Sequence, residues 1–358
     1  MRELFPAASW QRIRDTYEAW WTRTLERPVL NLAFKGADPG MPKPDLPVTS
    51  LLSKYLNEPA EKIVDMMEYD VRSKHYEADG YPYFWIYFGP MQSIEYFGAK
   101  ATVMSNTVWY EPKTIVPMDE FHMKIDPDSA FNRKIAEVCA EIDKRFPDGY
   151  VGGSPIGGAS SLDHLDGFFD STELLLSFYD YPEDVKRLSL ETNLALAENA
   201  EKMKQFYTHA KGYTCWGGIF GPEPWMGAQC DMSAMFGPKT FEEFVLPDLK
   251  MTYDRSPKYN YYHLDGPGEF VHLPYLLEIE NLRAIQYVPH PNEPILSRAQ
   301  DIFKPISDAG KNIWWVGTLE EMEALADVLG TLKGVYFHGT YDMKDYDRVI
   351  KKAEQLMK

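Results

Sequence analysis

The feature that most constrains this 358-residue chain is a series of eight short apolar runs with helical stretches between most of them. The runs are Pro28 to Phe34, Tyr81 to Phe88, Asp148 to Ser154, Gly212 to Phe220, Tyr259 to Asp265, Leu282 to Val288, Asn312 to Gly317 and Gly334 to His338. Strands alternating with helices pair in parallel through crossover connections, and eight such units close into a barrel. An open doubly wound sheet is the competing architecture, but no Gly-x-Gly-x-x-Gly fingerprint opens a helix after the first run. The expected fold is therefore α/β, a (β/α)8 TIM barrel. It carries an N-terminal helical extension, where Trp10, Ile13, Tyr17, Trp20 and Trp21 recur at helical spacing, and a β-hairpin inserted within residues 95–118. No low-complexity linker divides the chain, so residues 1–358 are read as one domain.

Prolines punctuate the helices. Pro59 divides an apolar-periodic region that starts at Leu51, and Pro182 splits residues 171–210 into a short helix and a long one. The hydrophobic fraction of 44%, with 9 Trp, 23 Tyr and 19 Phe, suffices for a large core. No apolar run approaches the roughly 18 residues that span a bilayer, and the opening Met-Arg-Glu-Leu-Phe-Pro contains no signal-peptide core. Cytoplasmic localisation is expected. Cys139, Cys215 and Cys230 are too scattered for a disulfide framework or a metal knuckle. A formal charge of −17 repels polyanions, which excludes nucleic acid as a natural partner.

A barrel collects the C-terminal ends of its strands on one face, where catalytic groups sit. The run Tyr259-Asn-Tyr-Tyr-His-Leu-Asp265 ends there in His263 and Asp265, followed by Gly266-Pro-Gly268 and Glu269. Asp265 could equally cap the next helix. His290 and His338 also fall at or just after strand ends. One strand-end histidine is more often structural; three beside two carboxylates favour a site. Imidazole and carboxylate suit a catalytic Zn²⁺ with three protein ligands, or proton transfer at His263 or Asp265. Trp85, Tyr87 and Trp216 are core residues unless they point into the mouth, where they would make a flat pocket for a planar ligand. Gln229, Cys230 and Asp231 follow the fourth run on a loop at the same rim. Glycine-rich turns at 152–158 and 217–221 lack the P-loop order of Lys and Ser/Thr.

Four stretches resemble the uroporphyrinogen decarboxylase superfamily: Gln229-Cys-Asp-Met-Ser-Ala-Met235, Pro238-Lys-Thr-Phe-Glu-Glu-Phe-Val-Leu-Pro247, Tyr262-His-Leu-Asp-Gly-Pro-Gly268 and Ala284-Ile-Gln-Tyr-Val-Pro289. The nearest likeness is to its branch linked with corrinoid-dependent methyl transfer, over roughly residues 150–345. The resemblance implies a (β/α)8 barrel, in agreement with the count of runs. The Arg-Gln-Ala-Gly-Arg motif of true decarboxylases is missing, since Lys35-Gly-Ala-Asp-Pro39 follows the first run. Thiol-activating members bind zinc through His-x-Cys, where this chain has His263-Leu-Asp265. Members that demethylate methoxylated aromatics use a Glu-x14-Glu-x20-His pattern; Glu269 and His290 match its second spacing, and Asp254 stands at the first position.

The resemblance thus implies a methyltransferase that passes a methyl group from a methoxylated aromatic to a cobalt(I) corrinoid on a partner protein. Zn²⁺ would be held by Glu269 and His290 with His263 or Asp265. His263 and Asp265 are the catalytic candidates. Trp85, Tyr87, Trp216, Gln229, Cys230, Asp231 and His338 are the substrate-binding candidates. The partners are a corrinoid protein and a small, aromatic substrate, with no nucleic acid and no membrane; a homodimer is compatible with the reading. The alternatives are a metal-independent decarboxylase or lyase on a small carboxylic acid, and a non-catalytic barrel that holds a tetrapyrrole or aromatic ligand.

Overall fold

The computed structural model describes residues 3–155 and 160–358; part of the 152–158 turn lies outside them. The first helix, Ala7–Trp21, buries Trp10, Ile13, Tyr17, Trp20 and Trp21 on one stripe. That stripe meets strand beginnings. Trp21 donates from its indole to the Phe220 carbonyl at 2.8 Å and packs on Trp225 and Tyr259, while Trp20 packs on Tyr336. Asn312, at the start of its strand, donates to the Trp20 carbonyl at 3.0 Å. An aromatic floor therefore closes the end of the sheet opposite the rim.

Eleven strands are formed among the described residues: β1 Val29–Lys35, β2 Lys74–Ala78, β3 Lys100–Val103, β4 Val108–Glu111, β5 Tyr150–Gly153, β6 Ala210–Thr214, β7 Met226–Ala228, β8 Asn260–Asp265, β9 Ala284–Val288, β10 Asn312–Trp315 and β11 Val335–Asp342. A seven-stranded sheet runs β2-β1-β11-β10-β9-β8-β7, parallel throughout except for β2, which is antiparallel to β1. The first parallel strand thus pairs with the last. β5 and β6 form a separate parallel pair, and β3 and β4 are the expected hairpin. Helices connect the parallel strands, so the chain is a mixed α/β protein built on parallel sheet. None of these helices is long and apolar enough to cross a membrane.

Several local expectations change. Tyr81 to Phe88 forms no ladder and makes only one parallel bridge, Phe84 with Gly152. Pro82 has no N–H to contribute, and the segment's polar groups are used singly. Phe84 N donates to Val151 O at 2.9 Å, Leu52 N to Tyr87 O at 2.8 Å, and Phe88 N to the Gln92 side chain at 2.7 Å. The Gly212 to Phe220 run stops at Thr214, because Gly217 and Gly218 take left-handed conformations, at φ 77° and 71°. β2 went unseen because its Lys-His-Tyr-Glu-Ala sequence is that of a short, charged edge strand. β7 lies where a loop was expected. The proline breaks are as expected: Ala60–Arg72 follows Pro59, and Ser171–Asp180 gives way to Pro182–Met203.

The turn after β2 is held by a buried carboxylate. Asp79 receives Arg27 through two bonds, at 2.6 and 2.9 Å, and the Leu30 N–H at 3.1 Å, which ties the turn to the start of β1. At Gly80 any Cβ would overlap the Leu32 carbonyl oxygen, so the chain passes directly against β1 before turning into the aromatic segment. Asp79→Ala would leave a three-quarters buried guanidinium unpaired. We expect it to lower the unfolding free energy by about 2–3 kcal/mol, at the modest end for a broken buried pair because Arg27 is partly solvated. Urea denaturation checks this; a loss below about 0.5 kcal/mol would show that the pair does not anchor β1.

Candidate active site

β8 is buried on both faces, and its alternation sends Tyr261 and His263 to one side and Tyr262 and Leu264 to the other. Parallel pairing with β9 sets His263 opposite Gln286. Their side chains meet at 2.6 Å between Nδ1 and the amide oxygen. That oxygen can only accept, so the Nδ1 proton is committed to it, and Nε2 is left to face the cavity. Trp216 packs edge-on against the imidazole at a centroid distance of 4.9 Å and on Trp314 at 5.3 Å. A Cβ at Gly217 would run into the Trp314 ring, so this glycine lets the chain fold Trp216 over His263.

A cavity of about 460 Å³ opens here. Its walls include His263, Asp231, Gln229 and Trp216, together with Trp85 and Tyr87. Trp85 and Tyr87 are stacked, with centroids 4.3 Å apart and planes 16° from parallel. Six residues picked out from distant parts of the sequence therefore share one chamber. Gln229 donates to Asp231 at 2.9 Å. The 89–93 loop also lines the cavity, and in it Met91 holds a left-handed φ of 53°. That loop is anchored by His164, whose ring bridges the Ser160 carbonyl and the Ser93 hydroxyl at 2.8 Å each. Burial lowers the His164 pKa to about 4, so it serves as a neutral strut.

Beneath Asp231 lies a group of carboxyls that cannot all be charged. Asp163 accepts the N–H groups of Asp231 and Met232, each at 3.2 Å, which fixes the turn that presents Asp231. Burial, then the Asp231 charge, pushes the Asp163 pKa well up. Glu269 is 1% exposed, and its Oε2 has no partner among the described residues. Burial, with Asp231 next, pushes it up to about 10, so it keeps its proton at neutral pH. Asp231 is an exposed residue, but the cleft wall takes water from its carboxylate. That desolvation raises its pKa, His263 opposes the rise, and Asp265 adds to it.

The remaining candidates lie elsewhere. Cys230 is fully buried, and burial followed by Asp163 drives its thiol well above the usual range, so it packs and does not react. Asp265 is exposed at the end of β8 and outside the cavity lining, and His290 is exposed beyond β9. Among the described residues no three His, Cys, Asp or Glu side chains converge as a metal site requires, so the Zn²⁺ set His263, Asp265, Glu269 and His290 is not assembled as a donor group. His338 lines a different cavity. Sequence reasoning missed Asp163; its signal was the Ser160-x-x-Asp163 spacing, a capping pattern realised by Ser160 accepting the Asp163 N–H at 3.3 Å.

Because Glu269 binds a proton more tightly folded than unfolded, the folded state loses ground as pH rises from the ordinary carboxyl value toward about 10. Glu269→Gln removes that loss. Its stability relative to wild type should therefore climb between about pH 5 and 10, by at most about 1.4 kcal/mol per pH unit. Denaturation across that range would refute the assignment if the gap stayed flat.

No protein-family model matches the chain, and no curated protein does. Among solved structures, a methyltransferase from Methanosarcina mazei is similar, with a TM-score of 0.56 and 10% sequence identity over 96% of this chain and 99% of that one. The fold of this chain is methyltransferase-like.

Proposed function

We propose that this protein is a methyltransferase that takes the methyl group of a methoxylated aromatic and delivers it to a corrinoid carried by a partner protein. The observation that carries the reading is the chamber itself. A stacked Trp85–Tyr87 pair and Trp216 surround the one place where an acid with a raised pKa, Asp231, stands beside His263. The methyltransferase-like fold and the resemblance to the decarboxylase superfamily support it. The same reading takes the chain as one (β/α)8 barrel domain. β1 pairs with β11, and the bridge at Phe84 joins the β1-side segment to β5 and β6. The antiparallel bridge between Tyr213 and Gly221 leads on to β7 and β8.

The chemical difficulty is the leaving oxygen. A reduced corrinoid supplies a strong nucleophile for the methyl carbon, but an aryl ether oxygen departs poorly unless it gains a proton. The chain's own groups meet that need. The aromatic walls orient the ring. As the C–O bond breaks, its electron pair stays on oxygen, and the Asp231 carboxyl gives that oxygen its proton. Gln229 holds the Asp231 carboxyl in place from one side. His263, its Nδ1–H tied to Gln286, has Nε2 free to take a proton from solvent and pass it to the Asp231 carboxylate for the next cycle. No step is routed through zinc, because the residues present do not assemble a donor set.

The test is demethylation of simple methoxybenzenes and methoxybenzoates with and without a reduced corrinoid protein. Corrinoid-dependent release of the phenol is expected, and Asp231→Asn should lower kcat by about 10²–10⁴-fold, the usual worth of a general acid. Carbon dioxide release from an aromatic acid with no corrinoid present would overturn this in favour of the decarboxylase. Tight binding of such compounds with no turnover under either condition would favour the non-catalytic barrel.

A further inference from the structure

Beyond the first chamber is a second cavity of about 350 Å³, and Trp85 lines both. It lies between β1, β11, β2 and the helix Ala60–Arg72, and it opens past Val48, Ser50 and Thr340, all exposed. The mechanism above uses none of its polar groups.

Two of those groups have hydrogen-bonding capacity to spare. Among the described residues the Lys74 ammonium has one hydrogen-bond partner, Asp70, at 2.6 Å, and a lysine ammonium carries three N–H donors. The His338 ring has no hydrogen-bond partner among the described residues. Burial, then the nearby Lys74 charge, lowers its pKa to about 4, so one ring nitrogen is a free acceptor at neutral pH. Beside polar residues such as Asn31, Asp70 and Tyr83, the lining has apolar surfaces suited to a ring: Leu52, Met67 and Phe84, with Trp85 at the boundary. Fixed charge also selects the ligand. Asp70 already neutralises Lys74, and the chain carries −17 overall, so an anion would bring a second negative charge to one lysine. A neutral O–H does not. It can give its proton to the His338 acceptor while its oxygen accepts from Lys74.

We propose that this second cavity binds a neutral phenol, its hydroxyl held between Lys74 and His338 and its ring lying against Trp85. The site is separate from the acid chamber and does not depend on the methyl-transfer reading.

The experiment is titration of the full-length protein with 4-methylphenol at neutral pH, read by calorimetry and tryptophan fluorescence, with no corrinoid protein present. Toluene, which has neither O–H nor methoxy group, and 4-methylbenzoate, which is anionic, are the comparison ligands. Saturable one-to-one binding of the phenol is expected, with each comparison ligand at least about tenfold weaker, the worth of a charge-assisted hydrogen bond. Lys74→Met and His338→Gln should each weaken the phenol about tenfold or more, whereas Asp231→Asn should leave it unchanged. The two variants lie on different strands, so a folding failure in one leaves the other as the readout. The proposal is overturned if toluene or the benzoate binds as tightly as the phenol, or if both cavity variants bind like wild type. It is equally overturned if Asp231→Asn abolishes binding, which would put the ligand in the first chamber, or if no saturable binding occurs.

Discussion

Three carboxyls crowded into a region poor in water are the constraint on which the site depends. Burial raises the cost of ionising Asp163 and Glu269, the Asp231 charge adds to it at both, and Asp163 adds to it again at Glu269. The arrangement persists because its backbone partners suit it. The Asp231 and Met232 N–H groups bind Asp163 whatever its charge, and Glu269 needs no counter-ion while it keeps its proton. The consequence reaches the cavity. Asp231 is the member that opens to solvent, so it is the one whose proton can leave the group.

The two ends of the sheet divide stability from chemistry. At the floor, Tyr17 packs ring to edge with Tyr81, and Trp21 does so with Trp225 and Tyr259, while Trp20 lies tilted on Tyr336. Large rings bury much area with few rotatable bonds, and edge-to-face pairs add specific geometry. At the rim the same residue types are left partly open, as with Trp216 at 41% exposure. Trp314 links the ends, touching Tyr261 and Tyr336 below and Trp216 above. The stacking that orients the rim is thus rooted in the rigid end of the molecule.

What could be read from the sequence followed from periodicity and from residues with strong local preferences. Tyr259 to Asp265, Leu282 to Val288 and Asn312 to Gly317 became strands because a parallel strand covered on both faces must be continuously apolar. Pro59 and Pro182 broke helices because a ring cannot donate an N–H. Tyr81 to Phe88, an aromatic run expected as a strand, makes a single bridge, since aromatic content reports burial and not ladder pairing. For the site, Trp85, Tyr87, Trp216, Gln229, Asp231 and His263 were legible as separate rim residues, but their union in one chamber was not, because contact order lies outside a linear pattern. Asp163 stayed hidden for a related reason. Its role comes from accepting backbone N–H groups of a turn 68 residues away, and no spacing rule encodes such a partner.

The histidines show most directly how context assigns chemistry. His164, His263 and His338 are all drawn away from water, yet each has a different use for its ring. His164 has both nitrogens committed, to Ser160 and Ser93, and is left with structure as its only task. His263 has one nitrogen tied to Gln286 and one free beside Asp231, which is the division a proton-transfer partner needs. His338 has neither nitrogen committed among the described residues, and burial, with the adjacent lysine next, keeps the ring uncharged. The number of committed nitrogens, none, one or two, separates a ring that awaits a ligand from one that moves protons and from one that holds the fold. That distinction is invisible in the letter H and follows from which atoms lie within reach of each ring.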